Sequence, residues 1–187
     1  MELIYRHNIT TVIAVFLPIR AKKLMVLKKD ILYAWQDDQH DHEACVASAT
    51  SKAQEICLKK GARLTPIRQR VLELVWGSHK PVGAYEILDE IKSEHKSSAP
   101  PTVYRALDFL MEHGFVHRIQ SLNAYIGCSD PGHIYKGIIL ICNKCSRVLE
   151  VEDKSVSGSI KSFASKLGFE LSTQSVEATG LCPGCQA

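Results

Sequence analysis

Apolar residues recur along this chain at two different intervals, and the change from one to the other divides it. Between residues 44 and 113 the interval is helical. Ala44, Ala47, Ala49, Ala53, Ile56 and Cys57 outline a first helix, with Gly61 as its stop. Thr65-Pro66, a capping residue followed by proline, opens a second, with Val71, Leu72 and Val75 facing inward and Gly77 at its end. A third is expected from about Ala84 to His95 over Ile87, Leu88 and Ile91. A fourth runs from Pro100 to about His113 over Val103, Leu107, Leu110 and Met111, leaving Thr102, Tyr104, Arg105 and Asp108 off the apolar stripe. At Phe115 the interval drops to two. Phe115–Gln120 and Ala124–Cys128 flank Ser121-Leu122-Asn123 and predict a β-hairpin. Helices followed by such a hairpin make a winged helix, in which the last helix enters a DNA major groove and the hairpin flanks the backbone.

Beyond a loop at Asp130–Gly137 the pattern starts afresh. Ile138–Cys142 and Val148–Val151 read as strands joined around Asn143-Lys144, Asp153–Leu167 as a helix, and Phe169 to about Glu177 as strand again. The expected class is α+β, with a winged-helix domain at 44–128, a linker at 129–137 and a small α/β domain at 138–187. Residues 1–43 are expected to be a flexible extension. Residues 1–24 do not resemble the start of a domain, and Met25 is an alternative start.

Composition narrows the class. Of 187 residues, 45% are hydrophobic and 23% charged, enough for a real core and too weakly charged for disorder throughout. The longest apolar run, Val12 to Ile19, contains Pro18 and falls short of the roughly 20 residues of a membrane span. No small-residue cleavage site follows it, so neither membrane nor export is expected. The net charge of +3 is unevenly placed. Residues 51–120 carry eleven basic and eight acidic side chains, while the flanking segments balance at six of each. Lys59, Lys60, Arg63, Arg68 and Arg70 fall together with no acid among them, which suits either a phosphate-facing surface or a solvated face.

Cysteine carries the strongest chemistry. Four of the seven form two Cys-x-x-Cys pairs, Cys142/Cys145 and Cys182/Cys185, with 36 residues between them. In a reducing cytoplasm such pairs point to metal rather than disulfides, and two tight turns supply the four soft ligands of a structural zinc ion. A redox dithiol is the rival, disfavoured because neither pair leads from a strand into a helix. Cys57 reads as a buried small hydrophobe. The run His40-Asp41-His42 reads as a solvated lead-in, since adjacent residues rarely converge on one ion. Where the two domains meet, His117, Cys128, His133 and Glu150 offer a thiolate, two imidazoles and a carboxylate. Zinc accepts that combination, although each residue alone is equally at home on a surface.

Arg63-Leu64-Thr65-Pro66-Ile67-Arg68, Pro101-Thr102-Val103-Tyr104-Arg105-Ala106-Leu107 and the two cysteine pairs together resemble the Fur family of metal-responsive repressors over about residues 50–187. Phe115-Val116-His117 and the single Cys128 ending the wing resemble its zinc uptake branch. Pro131-Gly132-His133-Ile134-Tyr135 stands where the iron branch has a histidine-rich run. The resemblance implies a cytoplasmic homodimer, not an enzyme, that represses transcription at a double-stranded DNA operator when zinc is plentiful. It implies two zinc ions per chain. Cys142, Cys145, Cys182 and Cys185 would hold the structural ion, and His117, Cys128, His133 and Glu150 the regulatory one. Tyr85, Thr102, Tyr104 and Arg105 would face DNA, with Lys59, Lys60 and Arg63 near its backbone. Residues 138–187 would form the dimerisation domain. One departure stands out: relatives often place the linker histidine where this chain has Tyr135, two residues beyond His133. An iron or peroxide sensor of the same fold is the nearest alternative.

Overall fold

The computed structural model describes residues 31–33 (as backbone), 42–78, 80–94, 99–128, 130–131 and 137–186. Four helices come first among the long elements: α1 (His42–Lys59), α2 (Pro66–Trp76), α3 (Ala84–Glu94) and α4 (Pro100–Glu112). Proline begins both α2 and α4, where the missing N–H costs nothing and the fixed φ suits a first turn. At the other end of α4 the chain closes a Schellman motif. Gly114 takes φ 71°, its N–H donates to the Met111 carbonyl at 3.0 Å, and the Phe115 N–H reaches back to Leu110 at 2.8 Å. Phe115 then enters the core beside Leu110, so the turn and the packing agree.

Val71, Leu72, Val75, Ile87, Leu88, Ile91, Val103, Leu107 and Leu110 are all buried in one cluster, as the helical spacing predicts. α1 differs. Only Ala53 and Cys57 are buried, whereas Ala44 and Ala47 are exposed. Alanine is a strong helix former whether or not it is buried, so its spacing reported a helix but not a core face.

The hairpin strands are β3 (Val116–Ile119) and β4 (Ala124–Gly127). A third strand, β2 (Val82–Gly83), pairs with β4 to give the antiparallel order β2-β4-β3. Two residues before a helix carry no readable period, which is why the sequence does not announce β2. In the second sheet the order is β1 (Ile31–Tyr33), β6 (Val148–Val151), β5 (Ile138–Cys142), β7 (Val176–Gly180). β5 and β7 run parallel, linked across α5 (Lys154–Lys166), and the other pairs are antiparallel. Asp153 caps α5, accepting from the N–H of Ser155 at 2.7 Å and of Val156 at 3.4 Å.

Two sequence expectations are corrected. The last strand begins at Val176, not at Phe169; Phe169 and Leu171 instead line an apolar groove with Phe163 and Leu167 of the α5 side. And within the segment read as an extension, Ile31–Tyr33 pairs as a strand with β6.

The wing is covered on both faces. Val116 and Tyr125 point into the helical core. The alternate positions, Ile119 and Ile126, pack with Ile139, Ile141 and Val148 of the second sheet, and Trp76 adjoins both clusters. Every residue of β4 is therefore buried.

Candidate metal centres and nucleic-acid face

Cys142 ends β5, and Cys145 lies across a turn in which Ser146 takes φ 58° and donates its N–H to the Cys142 carbonyl at 2.9 Å. The parallel register sets Gly180 beside Cys142, and the Asn143 N–H holds the Gly180 carbonyl at 2.8 Å. The chain leaving β7 is thus delivered to the same turn, where Pro183–Cys185 forms a single 3-10 turn. The Cys182 N–H donates to Cys142 Sγ at 3.3 Å, and the sulfurs of Cys145 and Cys182 are 3.7 Å apart. All four sulfurs lie within 4.8 Å of one another, as free thiols. Four thiolates about 2.3 Å from a tetrahedral zinc ion stand roughly 3.8 Å apart, so the spacing fits. The backbone N–H of Cys182, with those of Cys145 and Lys144, outweighs burial and draws the Cys142 thiol down to about 6. The hydrogen bond that the Cys185 S–H donates to Cys182, together with burial, pushes the Cys185 thiol up to about 12. Crowded sulfurs compete to stay protonated, and a divalent cation removes that competition.

A second group joins the two sheets. His117 on β3 and Glu150 on β6 face each other, with Nε2 3.5 Å from Oε1 and both side chains more than nine-tenths buried. Among the described residues, no hydrogen-bond donor reaches the buried Glu150 Oε1. Burial, then the charges of Asp130 and Glu152, push this carboxyl up to about 7. Cys128, one residue past β4, is also buried, and burial followed by the Glu150 charge pushes its thiol up to about 12. The Glu150 charge thus makes Cys128 harder to ionise. A cation between them reverses the sign of that interaction, and imidazole, thiolate and carboxylate suit zinc. His133 lies outside the described residues. Among the described residues only the four-cysteine group draws all its donor atoms within 4.8 Å. Of the His40-Asp41-His42 run, His42 alone is described, as the first residue of α1.

The surface expected to face DNA divides. Thr102, Tyr104 and Arg105 are exposed along α4, and Tyr85 is exposed at the start of α3. Lys60 and Arg63 are exposed as well, but the basic cluster is not one surface. Lys59 pairs with Glu55 at 2.6 Å. Arg70 bonds Glu94 on α3 through two nitrogens, and Arg68 lies over the Phe109 ring at 3.6 Å while donating to the Arg63 carbonyl. Arg68 and Arg70 therefore tie helices together. Their acidic and aromatic partners are distant in sequence, so charge counting cannot distinguish them from phosphate binders. Sequence reasoning also missed Glu177 on β7, whose carboxylate accepts from two backbone N–H groups of the wing turn. A glutamate in a strand gives no signal of such a role.

Comparison with known proteins agrees with this arrangement. The model of the ferric uptake regulator family matches residues 59–179. The zinc uptake regulation protein of Escherichia coli K12 is 39% identical over 138 residues, covering 72% of this chain and 80% of its own. Its namesake from Mycobacterium tuberculosis H37Rv is 28% identical over 130 residues, covering 68% and 97%. A solved zinc uptake regulator complexed with zinc and DNA superposes with a TM-score of 0.71 at 37% identity, covering 75% of this chain and 95% of that one. The structure of holo XcZur gives 0.69 at 43%, covering 74% and 97%. With a family match over residues 59–179 and a relative 39% identical over 72% of the chain, the chain belongs to the ferric uptake regulator family.

Proposed function

We propose that the protein is a zinc-responsive, DNA-binding transcriptional repressor of zinc uptake, acting as a homodimer in the cytoplasm. The observation that carries this reading is the buried His117–Glu150 pair beside Cys128, because its donors come from the wing and from the second sheet. A ligand bridging two bodies sets the angle between them, and angle is what a dimeric DNA reader needs. Winged helices on a dimer must reach half-sites about one turn of duplex apart, so a small change of hinge takes the second helix out of register. Similarity to relatives named for zinc uptake regulation, one of them solved with zinc and DNA, supports the same reading.

Two ions per chain are proposed, with different tasks. Cys142, Cys145, Cys182 and Cys185 hold the structural ion, which clamps the end of β7 to the β5 turn. His117, Cys128, Glu150 and, from the linker, His133 hold the regulatory ion. Bound there, zinc supplies positive charge that lets Cys128 and Glu150 ionise together in an apolar setting. Cys128 favours zinc over iron(II), since a thiolate is the softer donor. Homodimerisation is supported by what the second domain leaves bare. β7 is an edge strand, and Phe163, Leu167 and Phe169 are 68%, 79% and 64% exposed along an apolar groove of about 510 Å³. A second copy covers such a face.

On DNA, Arg105 is the side chain placed to read a guanine edge, with Thr102 and Tyr104 beside it and Tyr85, Lys60 and Arg63 toward the backbone. Lys59 contributes only after leaving Glu55. The test is operator binding with zinc buffered across a wide range. Arg105→Ala is expected to cost about 1–3 kcal/mol per half-site and to relax base preference, whereas Lys60→Ala weakens all sequences alike and flattens the salt dependence. Operator affinity indifferent to zinc would overturn the reading.

A further inference from the structure

The wing turn contains a second junction between the domains, reached from β7, on the other side of β5 from the Glu150 strand. β3 ends at Ile119, and the next two residues, Gln120 and Ser121, begin a turn whose N–H groups have no ladder partner. Both donate instead to one carboxylate on β7, Gln120 N–H to Glu177 Oε1 at 2.7 Å and Ser121 N–H to Oε2 at 3.0 Å. The turn is well defined on its own account. Asn123 takes φ 48°, its N–H returns to the Gln120 carbonyl at 3.2 Å, and its side chain accepts from Arg118 at 2.7 Å. Glu177 is equally well placed, paired with Ile139 in the parallel register. Between the two junctions lies the apolar contact of Ile119 and Ile126 with Ile139, Ile141 and Val148.

We propose that Glu177 is a positioning residue for DNA binding, clamping the wing turn to the second sheet so that metal at the other junction sets one angle of the winged helix rather than a range. An apolar contact is non-directional and lets one sheet slide over another. One fixed point leaves rotation about it free; a second confines rotation to the axis joining the two, which the apolar seam then opposes. A carboxylate bridging two successive N–H groups is charge-assisted and directional, which suits it to be the second point. Burial raises the Glu177 pKa, but the hydrogen bonds from Ser121 and Gln120 more than offset this and hold it below the ordinary glutamate range. The clamp is therefore ionised throughout the neutral range.

The DNA consequence rests on the repressor reading; the clamp itself does not, and the experiment separates them. Full-length Glu177→Ala and Glu177→Gln are compared with wild type in zinc content, amide hydrogen exchange and affinity for operator and random DNA. In Glu177→Ala the amides of Gln120 and Ser121 are expected to exchange about tenfold faster or more. Zinc content and exchange in α2 to α4 stay unchanged. Operator affinity in zinc falls by about tenfold while random-sequence affinity holds. Glu177→Gln, which keeps one acceptor oxygen, recovers part of both effects. Unchanged exchange at the two amides, or unchanged operator affinity, would overturn the proposal. Amides released in a protein whose wild type ignores zinc on DNA would keep the clamp and remove the repressor reading.

Discussion

The four-cysteine centre and the His117–Cys128–Glu150 group are built from similar chemistry, yet they are not assembled alike. The first is closed within one sheet. Its donors sit on two short turns, and the β5–β7 register brings those turns together. The second is shared between two sheets, and its completion depends on how wing and second domain meet. A site whose geometry is fixed by local hydrogen bonds can hold metal permanently. A site whose geometry is fixed by a domain contact couples metal to that contact, and so can report on metal. Ligand type alone does not make this distinction; the position of the ligands in the chain does.

The sharpest way to break the comparison is Cys182→Ser. A structural zinc site contributes on the order of 10 kcal/mol of folding free energy in small domains, so loss of this ion is expected to unfold or monomerise residues 138–187. Elemental analysis and sedimentation check it, and a folded dimer lacking that metal would make the two groups equivalent. Cys128→Ser should act oppositely. It is expected to keep one zinc per chain, the fold and the dimer, and to lower zinc-dependent operator affinity by roughly 100-fold, about 2.7 kcal/mol. His133→Ala should match it if the linker histidine completes the group.

Gly127→Ala sharpens the comparison from the packing side. A Cβ there would stand 2.3 Å from Trp76 Cε2, so the ring, which packs against both apolar clusters, must shift. Overpacking of this kind costs about 1–3 kcal/mol. Because Gly127 adjoins Cys128, metal at the interdomain group should weaken while the four-cysteine ion is retained. Denaturant unfolding and zinc competition read the two effects separately.

The smallest effect is in pH. Glu150 is raised from 4.5 to about 7, so metal must displace a proton there below neutrality, and affinity at this group should fall as pH drops through about 7. In the metal-free protein the sign for stability is the reverse. The native state holds that proton between about 4.5 and 7 where the unfolded chain does not, so stability declines as pH rises across that window. The four-cysteine centre, with soft thiolate ligands closed within one sheet, is expected to stay loaded to lower pH. Mild acidification with a zinc indicator should release one ion before the other.

Much of this was legible in the sequence because the period was. Val71, Leu72, Ile87, Leu88, Val103 and Leu107 fall where helical spacing puts them, and the two Cys-x-x-Cys pairs converge as their spacing implies. What escaped were features fixed by partners far along the chain. Arg70 looks like a phosphate binder until Glu94 is beside it. Glu177 looks solvated until the wing turn reaches it. Phe169 and Leu171 resembled a strand because two apolar residues one apart satisfy an interval of two, although they line a groove beside α5. The wing was legible as a hairpin, but its outer face was not legible as buried, since Ile119 and Ile126 would suit an exposed hairpin edge no worse than they suit a seam.

That seam has a consequence in time. Ribosomes make the helices and the wing first, and Ile119 and Ile126 emerge before β5 and β6 have left the exit tunnel to cover them. During synthesis the N-terminal half is thus a folded body with an uncovered apolar side, the kind of surface that recruits chaperones or a neighbouring nascent chain. Expression of residues up to Cys128 alone would make that transient permanent.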